Sequence, residues 1–461
     1  MTAACRPGII QHLLDNGGVV VMQPTVAVVG AGAAGLATLK ALADVGVPAV
    51  AFEAGDQVGG LWVYGAAGSP AYRTLHLNTS RARTEFADHP MPAHWPDYPD
   101  HTRVAGWLAD YADRFDLHGR VRLRHTVTRV ASEPDGRWTV RADGPDGPTH
   151  LSVAAVVVAN GHNRVPKPLP VYPGACTARQ LHSHAYREPE QLAGQRVLVV
   201  GGGNSAMDIA VDASYTAAHT LLSLRRGVWV VPKHLLGRPS DSLNGALSRR
   251  LPWRLRQRVT QALLAAAVGP PARYGLPAPA HGFLQEHPTL SDGLLSRLTH
   301  GEIEPRPGIA SFDGERAIFT DGREDDIDLI VWCTGYQVDM PFLAPDLLGE
   351  GADTLPLYQH VFHPDVTGLA FIGLMQSTGA AFPLVEAQAK LVAAQLAGIY
   401  TLPPPAIQRA HTAAELRAAR DRWGERRPAM RVDFDVYLTQ LRRELARGAR
   451  PSRQPYQKVT T

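Results

Sequence analysis

Two glycine clusters are the residues whose types and spacing suggest chemistry first. Gly30-Ala31-Gly32-Ala33-Ala34-Gly35 and Gly201-Gly202-Gly203-Asn204-Ser205-Ala206 each follow an apolar run and open an alanine-rich stretch. At such a junction the first glycine permits a tight turn and the second lets backbone approach a pyrophosphate. The third, replaced by Ala206 in the second cluster, lets helix pack on strand. Free N–H groups and the dipole at the helix start then favour the phosphates. The next strands end differently. Residues 47–52 lead into Glu53, whose carboxylate can accept ribose hydroxyls and disfavours a 2′-phosphate, so the first site suits FAD or NAD. Residues 219–224 lead into Arg225-Arg226, two guanidiniums suited to gripping a phosphate, so the second suits NADPH. One acidic-ended and one basic-ended site in a single chain imply a flavoprotein reduced by NADPH.

The elements that must position these residues are legible as a strand, turn and helix used twice: residues 25–29 before the first turn, and 196–200 before the second. Between them, residues 121–134, 137–142 and 151–161 read as strands separated by turn dipeptides. Residues 328–335 and 369–374 read as buried strands, and 384–398 as a helix. The fold class is therefore α/β, with two Rossmann-like dinucleotide-binding units.

The chain has 461 residues, room for two or three domains, and a net charge of +3 from 46 basic and 43 acidic residues. That charge is too small to argue for a nucleic-acid partner. It hides a block, residues 225–258, that holds nine basic residues and only Asp241 as an acid. Leu247, Leu251, Leu255 and Val259 in this block have helical spacing, interrupted by Pro252, and predict an amphipathic insert that covers the cleft. Cys5, Cys176 and Cys333 are too far apart for a disulfide framework or a zinc site, and the scattered histidines make no metal motif. A cytoplasmic protein without a stable membrane anchor, acting on a small molecule and open to homodimer formation, is the expectation. A disulfide reductase also pairs FAD with NADPH, but it would need a redox CxxC, which the sequence lacks.

From about residue 24 to 445 the sequence resembles the flavin-containing monooxygenases. The resemblance rests on the first glycine cluster, Gly59-Gly60-Leu61-Trp62, the stretch from Leu75 to Ser80, and Asp88-His89-Pro90-Met91-Pro92. It continues through Ala159-Asn160-Gly161-His162, His182-Ser183-His184-Ala185-Tyr186, the second cluster and Cys333-Thr334-Gly335-Tyr336. Six and four residues before His182, where the family usually has Phe and Gly, stand Cys176 and Ala178. The resemblance implies an FAD domain of residues 24–188 and 329–445, split by an inserted NADPH domain of residues 189–328. Residues 1–23 and 446–461 would then be an extension and a tail. It implies that NADPH reduces FAD, and that dioxygen then forms a C4a-hydroperoxyflavin which passes one oxygen atom to an amine or sulfur. The same intermediate also serves Baeyer–Villiger oxidation of ketones, and a non-oxygenating flavoprotein is the remoter alternative. Asn78 matches the family's active-site Asn, whose amide can donate and accept at once. Gly60, Leu61, Trp62, Val127, Thr334, Gly335 and Tyr336 would contact the cofactors. Tyr72 and Arg73 would form the nicotinamide side of the cleft, and His182 and Tyr186 would serve as structural hinge residues.

Overall fold

The computed structural model describes residues 25–448, apart from 244–251, 280, 284, 286–287 and 426. The elements that position the site are, in chain order, β1 (Val26–Val29), α1 (Ala33–Asp44), β2 (Ala49–Phe52), α2 (His101–Arg114) and β3 (Val121–Arg122). They continue with β4 (Thr126–Ser132), β5 (Trp138–Gly144), β6 (Gly147–Val153), β7 (Ala155–Val158), β8 (Arg179–His182), β9 (Arg196–Val200), α3 (Asn204–Thr216) and β10 (His219–Ser223). Last come α4 (Trp253–Val268), β11 (Glu304–Arg306), β12 (Leu329–Trp332), β13 (Leu369–Phe371), α5 (Phe382–Leu396), α6 (Pro405–Trp423) and α7 (Phe434–Gly448).

Two five-stranded sheets, all of whose pairings are parallel, organise the chain, in the orders β13-β7-β1-β2-β3 and β8-β12-β9-β10-β11. Parallel strands covered on both faces read as continuous apolar runs, and β1, β2, β7 and β12 are buried at every position. In the first unit α1 turns Leu36, Leu39 and Leu42 inward against Leu384, Leu391 and Val392 of α5. In the second, Met207, Ile209 and Ala210 of α3 pack on Val197 and Val199 of β9.

The topology departs from the sequence expectation in three places. Residues 151–158 form two strands, not one. β6 pairs antiparallel with β5, the chain turns at Ala154, and β7 joins the main sheet beside β1. A continuous apolar run carries no mark of that change of sheet. Secondly, β8 and β12 pair with each other, and β12 also pairs with β9. The strands just inside the expected domain limits at 188 and 329 are thus shared into the second sheet, through hydrogen bonds that sequence periodicity does not reveal. Thirdly, the insert helix begins after Pro252 rather than running through it. Pro252 precedes α4, as suits a residue with a fixed φ and no N–H, while Leu247 and Leu251 lie outside the described residues. The expected extension 1–23, Cys5 and residues 449–461 also lie outside them. Cys176 and Ala178 sit in and beside a short strand, Gly174–Cys176, with Ala178 buried.

Candidate cofactor site

At the first turn the Gly30 N–H donates to the Phe52 carbonyl at 2.8 Å, pulling the chain from the end of β1 across β2. A Cβ on Gly35 would lie 1.9 Å from the Gly30 carbonyl oxygen, so only glycine lets α1 start this close to its own strand. The loop at Gly59-Gly60 folds onto the turn: Gly59 donates to the Ala31 carbonyl, and a Cβ on Gly60 would meet the Gly32 Cα at 2.9 Å. Gly32 caps α1 without a side-chain hydrogen bond, and the first turn holds no acid. Ala33, Ala34 and Gly35 therefore present N–H groups that the helix itself cannot pair. Glu53 is fixed beside them, accepting from Ala31 N–H at 2.7 Å through Oε2 and from Gly55 N–H at 2.8 Å through Oε1. Each carboxylate oxygen keeps a lone pair for ribose hydroxyls.

The second turn repeats the design. The Gly201 N–H donates to the Ser223 carbonyl at the end of β10, and a Cβ on Gly201 would lie 2.4 Å from the Cys333 oxygen. Gly203 caps α3 with no side-chain bond and no acid in the first turn, so the N–H groups of Asn204 and Ser205 open the helix, while Ala206 N–H donates to the Gly203 carbonyl at 3.0 Å. Asn204 is already engaged, accepting from Leu290 N–H at 3.0 Å, while Thr289 donates to the Gly202 carbonyl at 2.8 Å. This tie to the insert had no sequence signal. Arg225 and Arg226, two and three residues past Ser223, are exposed and make no ion pair among the described residues.

Asn78 lies on a segment clamped at several points. Leu77 N–H donates to the Pro99 carbonyl and His101 N–H to the Leu75 carbonyl, both at 2.9 Å, so α2 holds the segment. Two residues beyond Asn78, Ser80 N–H donates to Asp241 Oδ2 of the insert at 2.6 Å. Asn78 Oδ1 and Thr334 Oγ1 are buried without a hydrogen-bond partner among the described residues. Unpaired buried polar atoms are costly, and a bound polar group would satisfy them. Together with uncapped helix starts and glycine-only clearances, they fit the two dinucleotides.

The remaining expected residues divide. Trp62 packs edge-on against Phe382 at 6.3 Å, and Leu61 is exposed. Val127 is buried in the core beneath β1 and β2, which leaves only its backbone for a cofactor. The Tyr336 ring stands 5.6 Å from His182 and 5.7 Å from His184, Gly335 has φ +87°, and burial pushes the Tyr336 hydroxyl up to about 12. Burial likewise pushes the Cys333 thiol up to about 12, so it stays protonated and is no nucleophile.

Tyr72 and Arg73, expected on the nicotinamide side of the cleft, have their polar groups committed within the protein. Tyr72 is buried and donates to Asp208 Oδ2 at 2.6 Å, while Arg73 pairs with Glu188 at 3.1 Å and with Glu190. His182 is buried, and Tyr186 donates to Asp212 Oδ2 at 2.7 Å. Sequence reasoning missed Asp208 and Asp212. The available signal was two acids four residues apart, on one face of an otherwise apolar helix.

Both glycine turns lie at the C-terminal ends of their parallel strands, where open α/β sheets bind ligands. A cavity of about 450 Å³ lined by Ala155, Phe362, Leu402 and Gln408 opens at the opposite ends of β7 and β13, away from these turns. Among the described residues there is no group of three or more candidate metal ligands, and no helix is long and apolar enough to cross a membrane.

The profile of the family described as flavin-binding monooxygenase-like matches residues 23–453. Flavin-containing monooxygenase 5 of Homo sapiens is 34% identical over 398 residues, covering 82% of this chain and 74% of that protein. Dimethylaniline monooxygenase [N-oxide-forming] 2 of Oryctolagus cuniculus is 33% identical over 409 residues, covering 83% and 75%. Among solved structures, S-allyl-L-cysteine S-oxygenase from Allium sativum superposes with a TM-score of 0.70 at 26% identity, covering 91% of this chain and 88% of that one.

Proposed function

The chain belongs to the flavin-binding monooxygenase-like family, FAD- and NADPH-dependent oxygenases, and from that premise we propose that it oxygenates the nitrogen or sulfur of a small, soft nucleophile. The balance is NADPH, a proton, dioxygen and substrate to NADP⁺, water and substrate bearing one added oxygen. When bound, the flavin supplies the chemistry that takes hydride from the coenzyme and activates dioxygen. The chain's own work is binding, orientation and exclusion of water.

In this reading Glu53 orients the ribose of FAD, and the N–H groups of residues 33–35 hold its pyrophosphate. Gly201 and Gly203 admit the NADPH pyrophosphate to the start of α3, and Arg225 and Arg226 grip its 2′-phosphate. The observation that carries the reading is the opposite charge at the two strand ends: Glu53 fixed by two backbone N–H groups, against two exposed arginines with no ion pair among the described residues. Asn78 offers a donor and an acceptor without a net charge, which suits a group that must contact the reacting rings without trapping an ion. The insert reaches over the first unit, with Tyr98 donating to the Lys233 carbonyl and Asp241 accepting from Ser80, which supports exclusion of water. Nitrogen or sulfur as the acceptor draws support from the N-oxide-forming relative and the S-oxygenase neighbour. A reducing, cytoplasmic setting accords with this reading.

The test is substrate-stimulated NADPH oxidation across tertiary amines, thioethers and cyclic ketones, with products weighed by mass spectrometry. The expected result is one added oxygen on an amine or thioether. Conversion of ketones alone, to esters or lactones, would overturn the assignment of the acceptor.

A further inference from the structure

We propose that Asp208 and Asp212 are positioning residues, which fasten the second nucleotide unit to the Asn78 segment and so set where the coenzyme stands relative to Asn78. The proposal rests on the nucleotide assignment above and specifies what aligns the two sites. Asp208 and Asp212 lie on one face of α3, four and eight residues beyond Asn204, where that helix meets the coenzyme. Asp208 Oδ2 accepts from the Tyr72 hydroxyl at 2.6 Å. Asp212 Oδ2 accepts from Thr74 Oγ1 at 2.6 Å and from the Tyr186 hydroxyl at 2.7 Å. Three stretches of chain thus converge on one helix face: the approach to Asn78, the linker that follows β8, and α3 itself. The Tyr72 and Tyr186 rings lie 5.7 Å apart, and both are buried.

Two attachment points on a rigid helix fix its rotation as well as its distance. The partners Tyr72 and Thr74 precede Asn78 by six and four residues, on a segment that Leu77 also anchors to Pro99. Hydroxyl-to-carboxylate bonds of this length are among the stronger and more directional ones a protein makes. Neither carboxylate has a hydrogen-bonded Lys or Arg partner among the described residues, and burial raises the pKa of both. A half-buried and a buried acid without a cationic partner oppose stability, whereas apolar residues of similar size would pack there at no such cost. Alignment of the two units is the gain that offsets it, because displacing reacting groups by about 1 Å can cost roughly a hundredfold in rate.

The test uses the FAD-loaded enzyme, measuring NADPH dissociation constant and anaerobic flavin reduction separately. Tyr72→Phe removes one hydroxyl and keeps the ring. It is expected to retain FAD and bind NADPH within about twofold of wild type, while flavin reduction slows at least tenfold. Asp208→Asn still offers an acceptor to Tyr72 and is expected to stay within about threefold of wild type. Thr74→Val tests the Asp212 contact in the same way, should Tyr72→Phe fail to fold. Reduction at the wild-type rate in both Tyr72→Phe and Thr74→Val would overturn the proposal, as would binding and rate that fall together with melting temperature. A wild-type enzyme whose flavin NADPH does not reduce would overturn the nucleotide assignment itself.

Discussion

Replacing Arg225 with alanine tests the proposed coenzyme choice at the strand end assigned to it. The side chain is exposed, so its loss should change stability by less than about 0.5 kcal/mol. Its backbone stays braced: the Ser223 carbonyl still accepts from Gly201, Leu224 still donates to the Arg306 carbonyl, and Ser223 Oγ still donates to the Pro307 carbonyl at 2.7 Å. On the proposed assignment, what disappears is a charge-assisted contact to phosphate. Such contacts contribute about 1.5–3 kcal/mol, and solvent screening at this exposed strand end argues for the lower half. The NADPH KM should therefore rise roughly 10- to 40-fold at 1.4 kcal/mol per decade. NADH has no 2′-phosphate, so its KM should stay within about twofold. The double variant Arg225→Ala/Arg226→Ala should bring the two coenzymes close to parity. Salt supplies a second axis, because the wild-type KM for NADPH should rise with ionic strength more steeply than that of the variant. Steady-state kinetics with both coenzymes at two salt concentrations would suffice. Equal effects on NADPH and NADH, or none on either, would refute a 2′-phosphate contact at this strand end.

Three further outcomes follow from the geometry. Asn78→Ala should lower oxygenated product per NADPH consumed at least tenfold, with the missing oxygen recovered as hydrogen peroxide, because preorganised donors at the reacting centre are worth roughly 10²–10³ in rate. Gly35→Ala puts a Cβ 1.9 Å from the Gly30 oxygen, so the purified protein should lose its visible flavin absorbance and about 1–3 kcal/mol of stability in urea unfolding. Asp208 has a pH signature. Burial raises its carboxyl to about 6 despite the Tyr72 bond and the nearby Lys233 and His76 charges, and Asp212 adds to the rise. Between the ordinary value of 3.8 and about 6 the folded state holds the extra proton, so this group's contribution falls as pH rises through that window. The loss is at most about 3 kcal/mol, reduced by the side chain's partial solvent contact. Wild type should therefore lose stability relative to Asp208→Asn between pH 4 and 6.5, and a pH-independent difference would contradict the assignment.

The parts of the site built from local sequence were readable without coordinates. Both glycine turns need their particular residues for reasons internal to a strand, turn and helix, and Glu53 and Arg225 sit one strand further along. The residues that join the units were not readable. Tyr72 meets Asp208 across 136 residues, Thr74 meets Asp212 across 138, and Ser80 meets Asp241 across 161. Nothing in the periodicity of either partner encodes the other. The same holds for β8 and β12, whose place in the second sheet depends on pairing between strands far apart in the chain. The engagement of Tyr72 with Asp208 and of Arg73 with Glu188 and Glu190 follows from packing. Asn78 was singled out by resemblance, and the structure adds the unsatisfied buried Oδ1 that gives its amide something to bind.

The most direct test of the central claim is turnover under ¹⁸O₂ with NADPH and a thioether or tertiary amine that stimulates coenzyme oxidation. The account predicts product carrying one ¹⁸O atom per NADPH consumed, and no such product when the flavin has been stripped. Unlabelled product, or NADPH oxidation that yields only hydrogen peroxide whatever nucleophile is supplied, would contradict it.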